Sequence, residues 1–155
     1  MILIKNRQKK YTLDNHYIKE TVQNLLDILG YSDFDIGIWF TNNTTIAKYN
    51  HIYRHKSGPT DILSFPYHQE IRPGNKIKAK TPDQRNLGDI IISLEFVHTS
   101  KRWHNFEPQN TLKILLVHGI CHLLGYDHET DEDYQKMHAK EQRLLKTLGS
   151  VEFLA

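Results

Sequence analysis

The chain has 155 residues, of which 39% are hydrophobic and 25% charged, with a formal net charge of +2. This length predicts one domain over residues 1–155, and the weak positive charge neither requires nor excludes a nucleic-acid partner. The single cysteine, Cys121, excludes an intrachain disulfide and favours a reducing, cytoplasmic location. The apolar run at the start is too short for a signal peptide. No stretch is long and apolar enough to span a bilayer, so we expect no membrane association.

Hydrophobic spacing and capping residues predict the elements ahead of the histidine-rich region. In chain order they are a strand at 2–7, a helix at 15–29, a strand at 34–40, a helix ending near 53, a strand at 62–65, a polar surface loop at 67–86, a buried strand at 87–93 and a helix at 94–103. Asp14 is expected to cap the first helix, and Gly30 to end it. The order predicts an α+β fold with a mixed sheet of about four strands packed with helices.

The segment from His118 to His128 carries the strongest chemical signal. His118 and His122 stand four apart on an apolar helix that we expect to begin near Pro108 and to end at Gly125. Residues at this spacing lie about 40° apart around the axis and about 6 Å along it, so both imidazoles can bind one ion. After Gly125 the chain can turn back and bring His128 to the same ion.

Three neutral imidazoles with an open fourth position are typical of a catalytic zinc rather than a structural one. We therefore predict one zinc ion per chain, although nickel, copper or iron also suit three imidazoles. An activated water at such a site favours hydrolysis, and both peptide and phosphodiester substrates are chemically admissible. A final helix is expected to begin after Thr130 and to end near Leu148.

The spacing His-x-x-x-His-x-x-Gly-x-x-His matches the zincin-like metal helix of metzincin proteases. In those enzymes a glutamate follows the first histidine and acts as the general base, whereas this chain has Gly119. Peptide hydrolysis needs a base for the water and an acid for the amine, so Gly119 counts against a protease. Asp127 could instead orient a ligand imidazole. Phosphodiester cleavage depends less on such a base, because a metal and an arginine stabilise charge on the phosphoryl oxygens.

Four separated motifs in this order make the chain resemble the bacterial YbeY family. They are Asn50-x-x-Tyr53-Arg54, Pro59-Thr-Asp-Ile-Leu-Ser-Phe-Pro66, Leu87-Gly-Asp-Ile-x-Ile-Ser93 and His118-Gly-x-x-His122-Leu-x-Gly-Tyr-Asp-His128.

The resemblance implies a metal-dependent endoribonuclease that acts on single-stranded RNA. It implies roles in 3′-end maturation of small-subunit ribosomal RNA, other ribosomal RNA processing and ribosome quality control. The partners would then be ribosomal RNA and ribosome-assembly or small-subunit proteins, with no DNA. It also implies that His118, His122 and His128 bind the zinc and that Arg54 is functionally important.

The residues themselves agree with a role for Arg54, because a guanidinium held by a loop can direct two donors at one phosphate. Six further cationic or titratable residues could form a positive rim for the RNA backbone: His55, Lys56, Arg72, Lys76, Lys78 and Lys80. No catalytic role is assigned to Asp89. Four other histidines are expected to be ordinary surface residues: His51, His98, His104 and His138.

Two alternatives remain open. One is a metzincin-like metalloprotease, and the other is a non-catalytic ribosome-assembly factor whose metal is structural.

Overall fold

The computed structural model describes residues 1–149 as one α+β domain. The expected domain 1–155 includes residues 150–155, which lie outside the described part. The strands are β1 (Ile2–Asn6), β2 (Asp35–Thr41), β3 (Ile62–Pro66) and β4 (Asn86–Ser93). The helices are α1 (Asn15–Leu29), α2 (Asn43–Arg54), α3 (Leu94–Thr99), α4 (Pro108–Leu123) and α5 (Asp131–Leu148).

The four strands form a mixed sheet in the order β1-β2-β4-β3. β1 and β2 run parallel, as do β2 and β4, whereas β3 is antiparallel to β4. Alternate residues point to opposite faces. Thus Ile90 and Ile92 join the main core with α1, α4 and α5, while Ile91 joins a smaller cluster with Ile46 of α2. The sheet therefore separates α2 from the helix that carries the histidines.

The local signals for helix ends are confirmed by the structure. Asp14 accepts a hydrogen bond from the backbone N–H of Tyr17, and Gly30 ends α1 with φ of +82°. Thr130 caps α5 in the same way as Asp14 caps α1, by accepting from the N–H of Asp133. These caps need only residues close in sequence, which is why the sequence predicts them well.

Two expectations about the irregular regions are only partly correct. The helix predicted for 94–103 is interrupted, because Ser100 adopts an extended backbone and its hydroxyl accepts from the N–H of Arg102, starting a separate 3₁₀ turn. The segment 67–86 is not simply a surface loop. Ile77 is buried and its N–H donates to the Tyr31 hydroxyl at 3.0 Å, so this segment packs against the core.

Within residues 1–149, no helix combines the length and the apolar character needed to cross a bilayer.

Substitution of Gly88 tests the close contact between β4 and β3. Its φ is +117°, and a Cβ there would run into the carbonyl oxygen of Phe65. We expect Gly88→Ala to lower the free energy of unfolding by about 1–3 kcal/mol, because both the backbone and the neighbouring strand would have to shift. Urea denaturation followed by circular dichroism measures this change.

Gly37→Ala on β2 is the matched control. A Cβ at Gly37 would meet only the carboxylate end of Asp89, an exposed side chain that can turn away. We expect this substitution to cost clearly less than Gly88→Ala. Equal losses in the two variants would contradict the assigned role of Gly88.

Candidate metal centre and cleft

Three histidines converge at the end of α4. The rings of His118 and His122 lie one turn apart with their centroids separated by 4.6 Å. Gly125, with φ of +93°, reverses the chain after the helix, and His128 then reaches both rings, with centroids 5.7 Å and 5.2 Å away. One ligand atom from each histidine lies within 4.8 Å of the others, so the group could hold a metal ion.

The hydrogen bonds around His118 and His122 decide which ring nitrogens face the centre. Nδ1 of His122 lies 2.8 Å from the carbonyl oxygen of Tyr126. A carbonyl only accepts, so this nitrogen carries the proton in the assigned tautomer. Nδ1 of His118 lies 2.9 Å from Oε2 of Glu141, which orients that imidazole in the same way. With a proton on each Nδ1, the Nε2 atoms of the two rings face inward and are the nitrogens that could bind a cation.

These two Nε2 atoms are only 3.0 Å apart. Two facing lone pairs repel unless a proton or a cation lies between them. Burial, together with the neighbouring His118, lowers the pKa of His122 to about 4. A shared proton is therefore disfavoured at neutral pH, and the donor set fits a cation that binds neutral imidazoles.

Glu141 is the residue of this site that sequence reasoning missed. It comes from α5, and its side chain is only 18% exposed beside His118. A carboxylate that accepts from the outer nitrogen of a ligand histidine fixes the ring and raises its basicity. Asp127, considered for this role, accepts instead from the N–H of Glu129 at 3.3 Å. Asp89 is exposed on β4 beside Gly37.

Arg54 lies in the same cleft as the three histidines, a space of about 1000 Å³. Its Nη2 donates to the carbonyl oxygen of Ser64 at 2.6 Å, and its guanidinium carbon lies 5.2 Å from the centroid of Phe65. The side chain is exposed despite these contacts. The guanidinium is thus held against β3 while other N–H donors stay available to a ligand.

Most of the residues suggested for a positive rim do not line this cleft. Of the six residues considered for it, Lys56 alone is among the described residues that line the cleft. Lys76 instead lies over the ring of Tyr31, 5.4 Å from its centroid. Arg102 takes a cleft position that the sequence did not indicate, beside the buried carboxylate of Asp61 at 3.7 Å.

Gly119 faces the sheet from α4 and is buried. A Cβ there would lie 2.9 Å from the terminal methyls of Ile62 and Ile90 and 3.2 Å from Oγ of Ser64. The helix and sheet are therefore too close for a glutamate at this position without rearrangement. The structure thus adds a steric argument to the chemical one against a metzincin-type base.

Cys121 also lies within the histidine motif, but it faces the core. Its side chain is fully buried, and burial raises the pKa of the thiol to about 12. It remains a neutral thiol at physiological pH. The expectation of a small buried helix residue is confirmed.

A family model and several relatives that match this chain carry the same name. The family model described as Endoribonuclease YbeY matches residues 3–149. A human protein named Endoribonuclease YbeY is 36% identical over 149 residues, which cover 96% of this chain and 88% of the human one. A protein of that name from Alkaliphilus oremlandii is 33% identical over 152 residues, with coverages of 96% and 97%.

The fold is also similar to that of a Thermotoga maritima protein solved in solution. The TM-score is 0.54 at 20% sequence identity, and the match covers 100% of this chain and 99% of that chain.

Replacing Glu141 tests its contact with His118. We expect Glu141→Ala to weaken metal binding by roughly 10–100-fold, because the imidazole loses its orienting acceptor. Glu141→Gln keeps an acceptor oxygen without the charge and should lose less. Competition with a chromophoric chelator measures the affinity. Glu132→Ala is the control, since Glu132 lies on the same helix but is 80% exposed and pairs with Lys136. An unchanged affinity in Glu141→Ala would contradict the assignment.

The low pKa of His122 predicts a pH-dependent stability of the metal-free protein. The folded pKa is about 4, whereas an unfolded histidine titrates near pH 6.5, or about two and a half units higher. Between these values the unfolded chain binds more protons, so stability falls as the pH falls through this window and this histidine contributes nothing above it.

Urea denaturation of the chelator-treated protein at several pH values measures this decline. His122→Gln should show a shallower decline, because glutamine does not titrate in this window. Identical slopes for His122→Gln and the parent protein would refute the linkage.

Proposed function

Because the chain belongs to the endoribonuclease YbeY family, we propose that it is a zinc-dependent endoribonuclease acting on single-stranded RNA. The match of the family model to residues 3–149 confirms the resemblance that the four sequence motifs indicated. The observation that carries the proposal is the presence, in one cleft, of three convergent imidazoles and an anchored guanidinium. A cation site beside an exposed guanidinium can stabilise the negative charge that develops on phosphoryl oxygens during phosphodiester hydrolysis.

The residues have separate roles in the proposed reaction. His118, His122 and His128 would hold the ion, and Glu141 would position His118. When bound, a zinc ion would supply Lewis acidity and lower the pKa of a coordinated water. Arg54 would bind a non-bridging phosphate oxygen and stabilise the charge that develops there. Its hydrogen bond to Ser64 and its contact with Phe65 keep it oriented before the substrate arrives.

The biological setting is part of the proposal. We propose that the RNA is ribosomal, with roles in 3′-end maturation of the small-subunit RNA and in ribosome quality control. The partners would be ribosome-assembly or small-subunit proteins, in the cytoplasm. The family membership supports this setting, and the buried neutral thiol of Cys121 suits a reducing compartment. The alternative of a metzincin-like protease is disfavoured because Gly119 stands where those enzymes carry their glutamate base.

Cleavage of a defined single-stranded RNA tests the roles of His122 and Arg54. We expect chelator treatment or His122→Ala to abolish cleavage, with zinc restoring it only to the chelated parent protein. Arg54→Ala should lower kcat by roughly 10²–10³-fold, the usual loss for a donor that stabilises transition-state charge. Arg54→Lys should recover only part of this, because lysine lacks the two-pronged donor.

Two variants serve as controls for this experiment. His51→Ala and Arg72→Ala remove exposed residues of the same types that do not line the cleft. Both should cleave like the parent protein. If His122→Ala and Arg54→Ala fold, bind RNA and cleave as fast as the parent protein, the catalytic assignment is wrong and a non-catalytic assembly factor becomes the better account. Elemental analysis of the purified protein distinguishes zinc from nickel, copper and iron.

A further inference from the structure

The wall of the cleft formed by α5 carries an aromatic pair that the proposed chemistry does not use. Tyr134 and His138 both line the cleft. Their ring centroids are 5.6 Å apart and their planes differ by 10°, so the rings stack. Tyr134 is 55% exposed. A large aromatic surface is therefore open to a ligand in the cleft.

The helix geometry fixes the direction in which this pair faces. Tyr134, His138 and Glu141 follow one another at intervals of four and three residues, so they share one face of α5. Glu141 contacts His118 at 2.9 Å, which shows that this face is turned toward the histidine cluster. At about 1.5 Å per residue, His138 lies about 4.5 Å and Tyr134 about 10 Å along the axis from Glu141. The pair is thus within one or two helical turns of the site.

The charges on the two walls of the cleft differ. α4 packs between β3 and α5. The cations that line the cleft lie on the β3 side: Arg54, Lys56 and Arg102. The one carboxylate that lines the β3 side, Asp61, is buried and pairs with Arg102. The other side contributes Asp127, Glu129 and Glu141 to the lining, and α5 begins with three consecutive acidic residues. Phosphates are attracted to the first wall and repelled by the second, so an RNA strand in the cleft would turn its bases toward α5.

We propose that Tyr134 and His138 form a stacking platform for one nucleobase of the RNA next to the scissile phosphate. The inference rests on the proposed endoribonuclease function and adds a base-binding subsite to it. Every nucleobase has a flat π face, so such a platform tolerates any sequence. A base inside a duplex is already paired and stacked and does not reach the platform. The pair therefore selects an unpaired nucleotide at the point of cleavage.

Cleavage kinetics of the zinc-loaded protein test the platform. The substrate is a single-stranded RNA with one mapped cleavage site. We expect Tyr134→Ala to raise KM about tenfold, within the usual range for the loss of one base–aromatic stack, with a smaller change in kcat. Tyr134→Phe keeps the ring and should behave like the parent protein. His138→Ala should have an intermediate effect, because it removes the support beneath Tyr134.

Another tyrosine with a histidine neighbour provides the control. Tyr67 is exposed, and its ring centroid lies 5.0 Å from that of His68, although these two rings meet edge to face. Tyr67 does not line the cleft. Tyr67→Ala should leave KM unchanged. Metal affinity measured in all variants separates loss of the platform from damage to the histidine site.

An abasic scan of the RNA distinguishes stacking of a base on Tyr134 from a purely structural role of this residue. Substrates each lacking one base are compared in the parent protein and in Tyr134→Ala. We expect one position next to the cleavage site at which loss of the base raises KM for the parent protein but not for the variant. That non-additivity identifies the stacked base.

The possible outcomes separate the two proposals. If the parent protein fails to cleave RNA, the proposed function is overturned and the platform with it. If the parent protein cleaves but Tyr134→Ala has an unchanged KM, or all abasic effects add independently of Tyr134, the platform alone is overturned. A raised KM in Tyr134→Ala, retention in Tyr134→Phe and one coupled base position together support it.

Discussion

The close contact between α4 and the sheet at Gly119 sets the geometry of the whole site. With no side chain at this position, the helix lies directly against Ile62, Ile90 and Ser64. The side of α4 that carries Gly119 is thereby fixed against the strands, and His118 and His122 face the cleft. The same contact brings β3 alongside the histidines. The carbonyl of Ser64 on that strand then holds Arg54, so one packing constraint places both the cation site and the guanidinium.

The cleft that results has three chemically different surfaces. The end of α4 forms the floor, with imidazoles whose outer nitrogens are hydrogen-bonded to Tyr126 and Glu141. The wall beside β3 carries the exposed cations. The wall formed by α5 is acidic and aromatic. A ligand with an anionic backbone and flat apolar substituents matches this distribution better than a peptide, which has no regular negative charge to place against Arg54. The chain therefore combines the histidine spacing of metzincin proteases with a cleft whose charged and aromatic walls suit a nucleic acid better than a peptide.

The sequence predicts well what depends on neighbouring residues. The caps at Asp14, Gly30 and Thr130, the strand alternation and the approach of His128 after Gly125 all follow from spacing within one segment. The mixed four-stranded sheet and the α+β class are confirmed as well.

The errors arise where distant segments meet. Glu141 is 23 positions from His118, and nothing in the local pattern of α5 distinguishes it from the other acidic residues of that helix. The positions of Lys76 and Arg102 were missed for the same reason. Burial of Ile77 holds Lys76 away from the cleft, and the buried carboxylate of Asp61 holds Arg102 beside it. Contacts between charged side chains that are distant in sequence depend on the tertiary structure, so local sequence patterns do not predict them.

The hydrogen bond between Glu141 and His118 has a consequence for the folding of the chain. All three histidines come from α4 and the turn that follows it, yet one of them is held by a residue of the last helix. A cation held by these histidines would therefore stabilise the docking of α5, because a ligand that binds only the folded arrangement stabilises every contact on which that arrangement depends. Loss of the contact between Glu141 and His118 would in turn weaken the binding of that cation.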